Sequence, residues 1–191
     1  EFGIDEENGG RLTLIDEARA DHLTARLDDP VVAAGGSAAN TVTGVASFGG
    51  RAGYIGKVAD DALGADFTRA LRAAGVAFES PPRPGPPGTA RSFIVVAPDG
   101  HRSMNTYLGA STLLEPADID KNLVQSGAIT FLEGYLFDRD EAKAAFVQAA
   151  EYAKSADRKV ALTLSDLFCV DRHRASFRHL AGWEVSSFEK V

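Results

Sequence analysis

The chain has 191 residues, 45% of them hydrophobic and 25% charged, an ordinary balance for a folded globular protein and one that excludes a disordered chain. Its 27 acidic and 20 basic side chains leave a formal charge of -7, which argues against a nucleic-acid partner because no basic stripe is present to release phosphate counterions. No apolar run reaches the about 20 residues that span a bilayer, no signal-peptide layout is visible, and the single cysteine, Cys169, has no internal disulfide partner. A cytoplasmic location without membrane contact is therefore expected.

In chain order, short β-branched or aromatic runs alternate with longer alanine- and leucine-rich runs of helical spacing, the pattern of an α/β protein. Residues 11–15 predict a strand, 16–27 a helix, 37–48 a helix, 53–58 a strand and 62–74 a helix. Residues 81–88 hold five prolines and two glycines, so neither a helix nor a central strand can pass through them. A connecting loop is the simpler reading, and a segment for a proline-recognising partner is the other. Strands follow at 91–97 and 103–107, around the turn Pro98-Asp99-Gly100 that predicts a hairpin. Beyond lie a helix at 116–125, a strand at 128–133, a helix at 139–156, a strand at 159–164 and a helix at 170–180. The helix at 139–156 is long enough for a right-handed crossover, so the strands before and after it should be parallel neighbours.

The turn Gly35-Gly36-Ser37-Ala38-Ala39-Asn40 has two chemical readings. Adjacent glycines admit a ligand close to the backbone, and free amides at a helix start donate to its oxygens, with Asn40 offering a donor and an acceptor one turn in. Equally, glycines followed by a serine N-cap are common helix punctuation. The turn lacks the G-x-G-x-x-G spacing of a dinucleotide site, and Gly56-Lys57 lacks the glycine and hydroxyl residue of a phosphate-binding P-loop. A dehydrogenase is thereby reduced to a distant alternative.

Other polar residues divide similarly. Glu133 ends the apolar run Ile129-Thr130-Phe131-Leu132 and reads either as a ligand-binding carboxylate or as a solvated strand end. Asp166 follows a strand on the edge where α/β sheets bind ligands, and reads as an indirect magnesium holder or as a helix cap. Asp60 and Asp61 precede a helix and read as caps. His22, His101, His173 and His179 have no metal-ligand spacing and are read as surface residues.

Several of these motifs occur together in one order: Gly35-Gly36-Ser37-Ala38-Ala39-Asn40-Thr41, Gly49-Gly50, Ile55-Gly56-Lys57-Val58-Ala59-Asp60-Asp61-Ala62-Leu63-Gly64, Gly75-Val76, Thr89-Ala90, Arg102-Ser103-Met104-Asn105-Thr106 and Gly109-Ala110-Ser111. That succession resembles the ribokinase, or PfkB, family of carbohydrate kinases over residues 11–177. Phe131-Leu132-Glu133-Gly134-Tyr135 and Leu162-Thr163-Leu164-Ser165-Asp166-Leu167-Phe168 are similar to its adenosine-kinase-like branch.

The resemblance implies a ribokinase-like α/β fold, with a mainly parallel central sheet flanked by helices and a small β-sheet lid. Residues 1–191 would form one incomplete domain of this kind, with lid strands at about 11–15, 31–34 and 91–107. It implies phosphoryl transfer from ATP, with Mg2+, to a hydroxymethyl group of a nucleoside or sugar, adenosine being the first choice. Gly35, Gly36 and Asn40 would bind acceptor hydroxyls with Ser37 beside them, joined by Glu133 and Asn105. The family's first core strand with its acceptor-binding aspartate, its Asn-x-x-Glu magnesium motif and its G-A-G-D-type motif with the base aspartate do not occur in this sequence. No catalytic residue is therefore expected within it, and a non-catalytic nucleoside- or sugar-binding module is the alternative. The resemblance also allows a homodimer through the lid strands.

Overall fold

A computed structural model describes residues 12–165 and 167–181. They divide into two compact units, one running up to Ala34 with Lys57–Ala70 and Pro81–Ser111, the other comprising Gly35–Gly56, Leu71–Ser80 and the chain from Thr112 on.

In the first unit the Pro98-Asp99-Gly100 turn reverses the chain as its sequence predicts. Strands β2 (Arg91–Val96) and β3 (Arg102–Tyr107) pair antiparallel from Arg91 opposite Tyr107 to Val96 opposite Arg102. Strand β1 (Leu12–Leu14) joins the free edge of β3 in parallel, giving the order β1-β3-β2. Helix α1 (Glu17–Thr24) begins where Asp16 accepts a hydrogen bond from the Arg19 amide at 2.8 Å. Its Ala20 and Leu23 are buried with Phe93 and Tyr107, which places residues 93, 105 and 107 on one face of the sheet. Leu12, Leu14, Ile94 and Val96 are exposed. Helix α3 (Ala62–Ala73) starts in this unit, where the Gly64 amide donates to Asp61 Oδ1 at 2.8 Å, so the expected cap at Asp61 is present.

Residues 31–34, expected as a lid strand, carry no strand pairing. Val31 is 98% and Val32 67% exposed, so the run stands in solvent with no neighbouring strand among the described residues to pair with. The proline-rich stretch is a loop, closed on itself by the Arg83 guanidinium, which donates to the carbonyls of Pro84 and Gly85 at 3.2 Å and also to that of Pro86.

In the second unit β4 (Ile129–Glu133) and β5 (Lys159–Thr163) pair in parallel, Ile129 opposite Lys159 and Glu133 opposite Thr163, connected through α5 (Asp140–Ser155). The crossover follows from composition. Ala142, Ala145, Phe146, Ala149, Ala150 and Ala153 form a buried stripe at helical spacing, and the small alanines let the helix lie close against β4 and β5. Phe146 meets Phe137 edge-on at 5.3 Å between ring centres, and Phe137 stacks on Phe177 of α6 (Leu167–Ala181) at 4.5 Å. Cys169 is buried in the same core.

Two sequence expectations need correction here. Residues 53–58 do not form a continuous strand. Within the second unit Tyr54 N–H donates to the Ala77 carbonyl at 2.9 Å, while within the first Asp60 N–H donates to that of Arg83 at 2.8 Å, so the run is paired only at its ends. The helix expected at 116–125 is broken into a 3-10 turn, Pro116–Asp118, and α4, Lys121–Ser126. Asp120 causes the break: its side chain accepts from the amides of Asn122 at 2.8 Å and Leu123 at 3.1 Å, starting a new helix.

Candidate active site

Helix α2 (Ser37–Ser47) opens the second unit. Its N-cap is Gly36, at φ 102 and ψ 139, a conformation that disfavours any L side chain, so glycine is required by the backbone and not by lack of space. A Cβ at Gly35 or Gly36 would meet nothing within 4 Å, so the turn is open on its outer side. Serine is thus the first helical residue and not the N-cap. No side chain caps the helix, which leaves its first amides facing outward. Asn40 is exposed one turn in, its own amide donating to the Gly36 carbonyl at 2.8 Å.

The Ser37 hydroxyl donates instead to the Glu133 carboxylate, 96 residues away along the chain. This contact joins the glycine turn to the C-terminal end of β4, the edge of a parallel sheet where ligands bind. Glu133 is held from behind by tight backbone packing. A Cβ at the next residue, Gly134, would lie 2.7 Å from the Phe177 ring and 3.0 Å from the Thr163 carbonyl. Tyr54 completes the group. Its ring meets Phe78 edge-on at 5.4 Å and lies over Gly56, where a Cβ would come within 2.6 Å of it. Burial pushes the Tyr54 hydroxyl up to about 12, and the negative charge of Glu133 adds to the shift.

The first unit contains a carboxylate of another kind. Asp61 accepts from the Thr89 amide at 2.8 Å and the Thr89 hydroxyl at 2.6 Å as well as from Gly64. Thr89 in turn accepts from the Ala59 amide at 3.0 Å. Burial works to raise the Asp61 pKa, but the Thr89 and Gly64 hydrogen bonds and the Arg91 charge outweigh it and hold it below the ordinary carboxylate value. Gly64 is required here, since a Cβ would sit 2.1 Å from the Ala59 carbonyl oxygen.

Of the remaining residues singled out from sequence, Asn105 is 8% exposed and lies on the α1 side of its sheet with Phe93 and Tyr107. That side is the interior of the first unit. Asp166 lies outside the described residues. His173 is not a surface residue: its side chain is 13% exposed, and its Nε2 is 2.7 Å from Asp138 Oδ1, with Arg172 Nε 3.1 Å from the same oxygen. Burial works to raise the Asp138 pKa, and the hydrogen bond from His173 with the Arg172 charge overcomes it. Sequence reading missed Tyr54 and the partnership of Asp61 with Thr89. Apolar neighbours hid the first, and a separation of 28 residues hid the second.

Residues 10–180 match the family described as pfkB family carbohydrate kinase. The chain belongs to that family. Fructokinase-1 from rice is 28% identical over 170 residues, 84% of this chain and 51% of the relative. A crystal structure of an adenosine kinase from Sinorhizobium meliloti is 51% identical with a TM-score of 0.83, over 92% of this chain and 54% of that one. A probable sugar kinase from Rhizobium etli CFN 42 is 46% identical with the same TM-score, over 90% and 52%. These similarities give the ribokinase-like α/β fold expected from the sequence. The chain spans about half the length of the relatives it matches. Among the described residues, no helix is long and apolar enough to cross a membrane, and no group of three or more His, Cys, Asp or Glu is placed to hold a metal ion.

Proposed function

We propose that the full-length polypeptide carrying this chain transfers the γ-phosphoryl group of ATP to a hydroxymethyl group of a small acceptor, and that the acceptor is a nucleoside, adenosine first. The observation that carries this reading is the hydrogen bond from Ser37 to Glu133, which brings the uncapped start of α2 and a carboxylate together at the end of a parallel strand. Outward amides at Gly36 and the first turn, the Asn40 side-chain amide and the Glu133 carboxylate offer the donors and acceptors that ribose hydroxyls use. A dinucleotide or a nucleic acid would need other chemistry. Adenosine is placed ahead of fructose because the adenosine kinase of Sinorhizobium meliloti shares 51% identity with this chain and the rice fructokinase 28%.

Within that reaction the residues of this chain bind and orient the acceptor. Gly35 and Gly36 admit it to the backbone, Asn40 pairs with a hydroxyl, and Glu133 accepts a hydroxyl proton in a hydrogen bond. ATP supplies the phosphoryl group. The acceptor oxygen forms the new bond to phosphorus while the bond to ADP breaks, and we assign neither the base nor the nucleotide pocket to this chain. No step is assigned through the described residues to a metal ion.

The test is ADP formation by the full-length polypeptide with ATP and a panel of adenosine, other nucleosides, ribose and fructose. Saturable adenosine-dependent ADP formation is expected. Turnover with fructose alone would overturn the nucleoside assignment, and tight binding of an acceptor without turnover would replace the kinase by a binding module.

A further inference from the structure

Ser37 differs chemically from the other residues of the turn. As the first helical residue it is not in the capping position, and its hydroxyl points to Glu133 and not to a backbone amide of its own helix. A serine hydroxyl has one proton to donate. While that proton lies on Glu133 it cannot also be given to an acceptor oxygen. A carboxylate has about four acceptor positions, so Glu133 retains capacity for acceptor hydroxyls after taking the Ser37 bond.

Glutamate is long, and a freely rotating carboxylate would lose rotamer freedom each time it met a ligand. Its surroundings limit that freedom. Its backbone is paired in register with Thr163, and Gly134 behind it is packed against Phe177. Among the described residues, no backbone amide donates to Glu133, so Ser37 is the group that sets the direction of its carboxylate.

We infer that Ser37 is a positioning residue that acts through Glu133, turning the carboxylate toward the acceptor hydroxyls, and is not itself an acceptor ligand. The inference rests on the acceptor-site reading of the proposed function and adds to it which of two neighbouring polar groups touches the acceptor. Gly36 fixes the course of the backbone, Ser37 orients, and Glu133 binds.

A double-mutant cycle decides the matter, with adenosine affinity measured by calorimetry on the full-length polypeptide and fructose run in parallel. Ser37→Ala should weaken acceptor binding roughly 10- to 150-fold, the range for one hydrogen bond to a charged group. In a Glu133→Ala background the same change should cost less than about 2-fold, because the group it acts through is gone. Ser37→Thr, which keeps the hydroxyl, should restore binding, and the KM for ATP should stay constant throughout. A defect that was merely structural would raise both constants and would persist in the Glu133→Ala background. Should Ser37→Ala fail to fold, Ser37→Cys, similar in shape but a weak donor, carries the same cycle. Additive losses, or no loss from Ser37→Ala, would overturn the inference alone. A parent polypeptide that binds neither adenosine nor fructose would overturn the proposed function and the inference with it.

Discussion

Asp61 and Glu133 are both carboxylates at the junction of an extended segment and a helical one, yet their surroundings differ. Asp61 is enclosed by donors from its own unit: the Thr89 amide and hydroxyl and the Gly64 amide occupy both of its oxygens. Glu133 receives the Ser37 hydroxyl, and among the described residues no backbone amide reaches it. A carboxylate whose hydrogen bonds close on the fold stabilises the fold. One whose acceptor positions remain open beside an uncapped helix start is suited to a ligand.

Substitution at Asp61 gives the largest expected effect. Asp61→Ala leaves the Thr89 and Gly64 donors without partners and should lower stability by about 2–4 kcal/mol, read by urea unfolding. A loss below about 1 kcal/mol would put Asp61 on the same footing as Glu133. The sign of its pH dependence is fixed. The folded-state pKa is depressed below the ordinary value of 3.8, so the contribution is present above that value and is lost as pH falls through the folded-state pKa. Asp61→Asn should flatten that acid limb.

Next comes Asn40→Ala in the full-length polypeptide, expected to weaken acceptor binding by about 1–3 kcal/mol while unfolding shifts by less than about 0.5 kcal/mol. Unchanged affinity would remove Asn40 from the site. Glu133→Gln should change stability least, within about 1 kcal/mol, while reducing acceptor affinity. If it destabilises as much as Asp61→Ala, the contrast between the two carboxylates fails. The pH dependence due to Tyr54 is flat at neutral pH and emerges only in alkali. Its pKa rises from 10.0 unfolded to about 12 folded, so its contribution is complete below 10 and declines as pH rises toward 12. Tyr54→Phe should abolish that decline in a pH series of unfolding curves.

Features whose causes lie close together in sequence are legible from the sequence itself. The Pro98-Asp99-Gly100 hairpin and the parallel pair joined by the alanine-striped helix at 140–155 follow from turn chemistry and periodicity. The glycine turn at 35–36 and the acid at 133 were legible as candidates, but their connection was not, because hydrogen bonds between residues 96 apart leave no local pattern. Strand β3 shows another limit. Ser103 and Asn105 are buried, while Thr106 on the opposite face is half-buried, so hydrophobic alternation points the strand the wrong way round. The polar pair is inside because that face meets α1, a fact of tertiary packing that Asn105 does not reveal by itself.

Cys169 is the single cysteine of the chain, and it lies 2% exposed among Phe137, Phe146 and Phe177. A thiol reagent has one target in the chain and reaches it only when that aromatic packing opens. The rate of modification is therefore a clock for the breathing of the β4–α5–β5 core, with no label to introduce and no second site to subtract.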